Sequence, residues 1–162
     1  MIKFLVMDVD GTLTDGKINI GENGELFKSF NIKDGCGIKD ILPDYGIIPV
    51  IITGRTSRIV EYRSKELNIS YCFQGERNKR RKLLEVISEF NSSSQIGYTL
   101  GDCAYIGDDI NDLDCMQAVK DHGGIIGAPR DAISQIISLA DFVSKKNAGE
   151  GAVRDFIEWL IK

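Results

Sequence analysis

Acidic side chains occupy the positions in this sequence where chemistry is expected. Asp8 and Asp10 follow one short apolar run, and Asp108, Asp109 and Asp112 follow another. Asp8, Asp10, Asp108 and Asp109 brought to one rim would repel one another and push their pKa values up. A bound divalent cation removes that conflict. An oxygen-rich site without His or Cys suits Mg²⁺, which keeps several waters and accepts substrate phosphate as a ligand. An Asp carboxylate can also attack phosphorus and form an aspartyl-phosphate. Asp8 and Asp10 stand two apart where the chain turns, which suits one as nucleophile. The other then protonates the leaving oxygen and later deprotonates water. Thr53 and Lys79 offer a hydroxyl and an ammonium to the oxygens of a phosphoryl group, and the amides of Asp10-Gly11-Thr12 add a backbone nest.

The elements that must position these groups are legible as alternating patterns. Strand-length apolar runs occur at Ile2–Met7, Ile47–Ile52, Tyr71–Phe73, Cys103–Ile106 and Gly124–Ile126, with an edge strand at Phe142–Val143. Gly21-Glu22-Asn23-Gly24 predicts the turn of a β-hairpin over about residues 17–32. Helical spacing covers Asp34–Leu42, stopping near Pro43, then Ser57–Leu67, Lys79–Phe90, Asp109–Val119, Ala132–Ile137 and Ala152–Ile161. In Lys79–Phe90 the expected apolar face is Leu83, Leu84, Ile87 and Phe90, and the polar stretch Asn91–Gln95 reads as a surface loop. The expectation is an α/β fold, a Rossmann-like doubly wound parallel sheet with helices on both faces. In such sheets ligands bind outside the carboxyl ends of the strands, which is where the candidate residues fall.

Composition narrows the function classes. The 162 residues fit one domain, 1–162, without internal repeats; 43% are hydrophobic and 27% charged. A net charge of −4 offers no global positive field to nucleic acid or to an anionic membrane. No run approaches the roughly 20 apolar residues of a membrane span, and the apolar start leads straight into Asp8 and Asp10, unlike a signal peptide. Four scattered cysteines and a single His argue against zinc and for reduced thiols, so a cytoplasmic protein is expected.

The motifs carry a resemblance. Asp8-Val9-Asp10-Gly11-Thr12, Thr53-Gly54-Arg55, a Lys following Gly75, and Gly107-Asp108-Asp109-Ile110-Asn111-Asp112 resemble the four ordered motifs of the haloacid dehalogenase superfamily. Within it the whole chain is similar to the 3-deoxy-D-manno-octulosonate 8-phosphate phosphatases and to the related nonulosonate (sialic-acid-type) 9-phosphate phosphatases. The carrying stretches are Asp8–Gly16, Gly21–Gly35, Ile52–Leu67, Tyr105–Asp112 and Gly149–Phe156. The resemblance implies Asp8 as nucleophile and metal ligand, and Asp10 as acid/base with its backbone carbonyl on the Mg²⁺. Asp108 completes the protein ligands, with Asp109 and Asp112 in support. Thr53, Gly54 and Lys79 hold the phosphate. In the basic run Lys79–Lys82, the distance from Gly75 favours Lys79, with Lys82 as the fallback. Arg55, Arg63 and Arg154 are candidates for the substrate's carboxylate or phosphate, and each reads equally well as a surface ion-pair partner. Family members form homotetramers in which hairpins pack together and neighbours roof the active sites, and the Gly-rich tail around Gly149 and Gly151 reaches toward a site. No cap domain fits between the motifs of this chain, so another copy is the natural lid.

The expected substrate is a phosphorylated sugar acid, most simply the octulosonate 8-phosphate, because Arg55 stands where nonulosonate enzymes tend to carry Glu. Two other readings compete. A phosphorylation-driven receiver module would place its phosphoacceptor Asp after the third strand, but Gln74-Gly75 follows Tyr71–Phe73. A non-catalytic oligomerisation domain, like the appendage of some sialic-acid cytidylyltransferases, would not need the intact set Asp8, Asp10, Lys79 and Asp108.

Overall fold

The computed structural model describes residues 1–162. Its centre is a six-stranded, all-parallel sheet. In chain order the strands are β1 (Phe4–Met7), β4 (Ile48–Ile52), β5 (Tyr71–Phe73), β6 (Cys103–Ile106), β7 (Ile125–Ala128) and β8 (Phe142–Val143); β2 (Asn19–Gly21) and β3 (Gly24–Phe27) form a separate antiparallel hairpin. The sheet order is β5-β4-β1-β6-β7-β8. β1 therefore lies between β4 and β6, paired in parallel with both. The chain winds outward from it in both directions, so the crevice above β1 is the switch point where such sheets bind ligands.

Side-chain alternation along β1 divides the core in two. Phe4 and Val6 face one side, with Leu83 and Ile87 of α3 (Lys79–Ser94), Met116 and Val119 of α4 (Ile110–Asp121), and Ile136 of α5 (Ser134–Leu139). Leu5 and Met7 face the other. There they meet Val60 of α2 (Arg58–Glu66), and Val153, Phe156 and Ile157 of α6 (Ala152–Leu160). The Phe156 ring lies so close to β7 that a Cβ on Gly127 would sit 2.8 Å from it; glycine there is a packing requirement. No helix is long and apolar enough to cross a membrane.

Three expectations needed correction. The helix expected over Asp34–Leu42 begins as α1 (Ile32–Cys36), passes through a π turn over Gly37–Ile41, and continues as a 3₁₀ turn over Leu42–Tyr45. Pro43 does not stop it, because it sits in the first positions of the 3₁₀ turn, where a missing N–H costs nothing. The stop is Gly46, left-handed at φ 64°. The surface loop expected at Asn91–Gln95 is mostly helix, since α3 runs on to Ser94. On α3 itself Leu84 is exposed, and Val86 is buried in its place.

Candidate active site

Asp8 leaves the carboxyl end of β1 and is 3% exposed. Its Oδ1 accepts the Val9 amide at 2.8 Å, and its Oδ2 lies 3.0 Å from the Lys79 ammonium. Lys79 is the first residue of α3, drawn inward until its side chain is buried. It also reaches Asp112 Oδ1 at 2.7 Å. Burial pulls the Lys79 pKa down, but Asp112 and Asp8 outweigh it and hold the ammonium above its ordinary value. Lys82 points elsewhere: it pairs with Glu76 and Glu85 beside the Phe73 ring, outside the cleft.

Asp112 is the hidden organiser. It is fully buried, and its Oδ1 also accepts the Tyr105 hydroxyl at 2.9 Å. Its Oδ2 accepts the amides of Asp108 (3.1 Å) and Asp109 (3.4 Å). With its lone pairs spent on Lys79, Tyr105 and two amides, Asp112 is suited to orient the other groups. Asp109 caps α4 through the Ile110 amide at 2.6 Å and lines the cleft. Asp108 Oδ1 accepts from Thr12 Oγ1 at 3.0 Å. A side chain at Gly11, left-handed at φ 87°, would collide with the Asp108 carboxylate, so the first-motif turn requires glycine.

Carboxylate oxygens of Asp8, Asp108 and Asp112 lie within 4.8 Å of one another. Burial first, and the charge of Asp112 second, push Asp8 up to about 6; burial, then Asp112 and Asp8, push Asp108 to about 7. Buried acids this close are under electrostatic stress that a cation relieves, and an all-oxygen donor set fits Mg²⁺. Asp8 and Asp108 are the carboxylates of this cluster that could hold it, since Asp112 is already spent on its own donors.

These residues surround a cleft of about 310 Å³ that also takes in Asp10, Gly11, Thr53, Gly54 and Arg55. Thr53 is buried, held at the end of β4 by backbone bonds to Phe73 and Glu76. Arg55 stands half-exposed, 3.9 Å from Glu25. Arg63 and Arg154 are not brought to the cleft of their own chain. Arg63 pairs with Glu66 at 2.7 Å and lies over the Phe30 ring, and Arg154 pairs with Glu158 at 2.7 Å. The Gly-rich tail braces its own first-motif loop, where the Gly149 amide donates to the Thr12 carbonyl at 3.4 Å.

Sequence reasoning missed Lys28, Glu25 and Tyr105. Lys28, at the end of the hairpin, is ion-paired with Asp10 and forms a 2.9 Å pair with Glu25. The signals available were modest: a lysine just after an amphipathic strand, and a tyrosine in a buried strand, whose hydroxyl needs a partner.

A buried carboxylate, Asp8, ends the first strand of the all-parallel sheet, with Asp108 from the neighbouring strand end beside it. That combination defines the haloacid dehalogenase class of phosphoryl-transfer enzymes. The chain is 37% identical over 160 residues to 3-deoxy-D-manno-octulosonate 8-phosphate phosphatase of Escherichia coli K12, covering 99% of this chain and 79% of the relative. The fold agrees with the Moraxella catarrhalis enzyme of the same name, whose crystal structure holds a magnesium ion, a phosphate ion and a KDO molecule. There the TM-score is 0.87 at 37% identity, over 99% of this chain and 86% of that one. A haloacid dehalogenase superfamily (subfamily III A) hydrolase from Legionella pneumophila superposes with a TM-score of 0.88 at 34% identity, over 99% of this chain and 82% of that one. No protein-family model matches the chain. This chain belongs to the 3-deoxy-D-manno-octulosonate 8-phosphate phosphatase family.

Proposed function

We propose that this chain is a Mg²⁺-dependent phosphatase that hydrolyses 3-deoxy-D-manno-octulosonate 8-phosphate through an aspartyl-phosphate on Asp8. The observation that carries the proposal is the placement of Asp8: buried at the switch point, fixed by Val9 and Lys79, and open to a cleft lined by Thr53 and Gly54. The Asp8 carboxylate attacks phosphorus. A new bond from the Asp8 carboxylate oxygen to phosphorus forms, giving an acyl phosphate; the bond to the leaving oxygen breaks, and the Asp10 carboxyl gives that oxygen its proton. Water then attacks the aspartyl-phosphate and yields its proton to Asp10; inorganic phosphate leaves and Asp8 is regenerated. Lys79, the Thr53 hydroxyl and the Gly54 amide hold the phosphoryl oxygens, while Asp112 fixes Lys79 and the Asp108 turn. Bound Mg²⁺ supplies charge neutralisation for the phosphoryl oxygens and the crowded carboxylates.

The chain reads as one capless domain. Only a hairpin, a short helical segment and a strand separate the first and second motifs, and one helix and a strand separate the second and third. The cleft then needs a lid from outside. The hairpin exposes Ile20, Leu26 and Phe27, with Ile32 beside them, and these support assembly into a homotetramer. Four free thiols, two of them buried with pKa values pushed up to about 12, suit the reducing cytoplasm.

The test is a side-by-side kcat/KM comparison of octulosonate 8-phosphate and nonulosonate 9-phosphate with Mg²⁺ present. The octulosonate ester is expected to be preferred, and Asp8→Asn is expected to lower turnover by more than about a thousandfold. A preference for the nonulosonate ester would reassign the substrate. Absence of turnover on either ester and on a generic aryl phosphate would sink the enzyme reading.

A further inference from the structure

Lys28 is a charged residue in a place that has no obvious need of one. The hairpin has little core of its own, since most of β3 is exposed, yet the Lys28 side chain is 2% exposed. Burying an ammonium is costly unless it is paired, and Lys28 is paired twice: to Asp10 and, at 2.9 Å, to Glu25. Glu25 in turn accepts from Ser57 Oγ and lies 3.9 Å from Arg55, both just beyond Thr53-Gly54. One chain of charges thus spans the first-motif loop, the hairpin and the second-motif loop.

This chain of charges accounts for the position of the Asp10 carboxylate. Asp10 stands two residues from Asp8, but its carboxylate is absent from the Asp8, Asp108 and Asp112 cluster. It turns toward the hairpin and meets Lys28. We infer that Lys28 is a positioning residue for the reaction, holding the Asp10 carboxylate apart from the acidic cluster and aimed where a leaving oxygen would depart. Glu25 fixes Lys28 and couples it to the loop that carries the phosphate-binding Thr53. This assignment rests on the phosphatase reading above.

General acid catalysis matters most where the leaving group is a poor one. The test therefore compares two esters in single-turnover formation of the aspartyl-phosphate. An alkyl phosphate leaves as an alkoxide and needs a proton; 4-nitrophenyl phosphate leaves as a stable phenolate and does not. Lys28→Met should slow the alkyl ester by about 100-fold and the nitrophenyl ester by less than about 5-fold, because general acid–base help is worth about 100-fold or more. Lys28→Arg should recover most of the alkyl rate. Glu25→Gln, which keeps the ammonium but loosens it, should give the same ester bias at smaller size, and carries the test if Lys28→Met does not fold. Equal losses on both esters would reduce Lys28 to a structural residue and overturn the inference, as would no loss on either. If wild type turns over neither of these nor the octulosonate and nonulosonate esters, the phosphatase reading falls and this one with it. If wild type is active and Asp8→Asn is not, only the ester bias decides the role of Lys28.

Discussion

A carboxylate taken out of water needs donors for both oxygens, and Asp34 is only half supplied. Its Oδ1 accepts the Arg154 amide at 2.8 Å, while its buried Oδ2 has no partner. Burial raises its pKa to about 6, against the downward pull of that amide and of Lys146, Arg154 and Arg63. A raised acid binds its proton more tightly in the folded chain than in the unfolded one. Its contribution to stability is therefore complete below the ordinary value near 3.8 and is lost as pH rises through about 6. Asp34→Asn keeps an acceptor for Arg154 and has no charge to bury. It should be near neutral at pH 4 and more stable than wild type at pH 8, by about 1–2 kcal/mol. Urea unfolding at the two pH values checks this, and an unchanged difference between variant and wild type would contradict it. At this scale the sequence was legible wherever a polar residue interrupts an apolar run. Asp8, Asp10 and Asp108 announce themselves as strand ends. Lys28 does not, because its partner Asp10 lies 18 residues away across a hairpin whose placement no local pattern reports.

The hairpin is the element least explained by its own chain. Two short strands are marginal alone, and β2–β3 exposes Ile20, Leu26 and Phe27 on a ribbon with little beneath it. If these side chains pack against other copies, Leu26→Lys combined with Phe27→Glu should shift the protein toward monomer in light scattering. Activity should fall with it, by about tenfold or more, because the same strand presents Glu25 and leads into Lys28 and positioning losses of this size are common. A double variant that keeps wild-type mass would argue against the hairpin as the interface. Elsewhere the elements followed their patterns: Tyr71–Phe73, Cys103–Ile106 and Phe142–Val143 are strands with the expected bounds. The misreading of Asn91–Ser94 has a tertiary cause. Asn91 exchanges two 2.9 Å hydrogen bonds with the Tyr98 backbone, and the Tyr98 ring packs on Phe4 and Phe90. Ser92 and Ser93 hydroxyls bond back to Ser88 and Phe90 carbonyls, so the polar side chains of this stretch find partners inside the helix rather than in a loop.

For the whole molecule, the cleft is a store of electrostatic stress placed over the centre of the sheet. The core holds β1 and β6 side by side, so Asp8 and Asp108 cannot move apart without unpairing strands that are buried along their length. Burial first, and the charge of Asp112 second, raise their pKa values to about 6 and about 7, with Asp8 adding to the rise at Asp108. Both are raised, so without metal each supports the fold below its ordinary value near 3.8 and weakens it as pH climbs through 6 and 7. A bound Mg²⁺ reverses the sign, since it binds the ionised acids and must displace their protons. Melting curves with and without Mg²⁺ should therefore diverge as pH rises. At pH 5 the cation has protons to compete with and should stabilise little. At pH 8 it meets carboxylates already ionised, and saturation at 100-fold above its dissociation constant adds about 2.7 kcal/mol, several degrees in melting temperature for a chain of this size. Asp108→Asn removes one of the crowded charges. It should raise the metal-free melting temperature at pH 8 and abolish most of the gain from Mg²⁺, whereas a gain of equal size at both pH values would place the cation somewhere other than between Asp8 and Asp108.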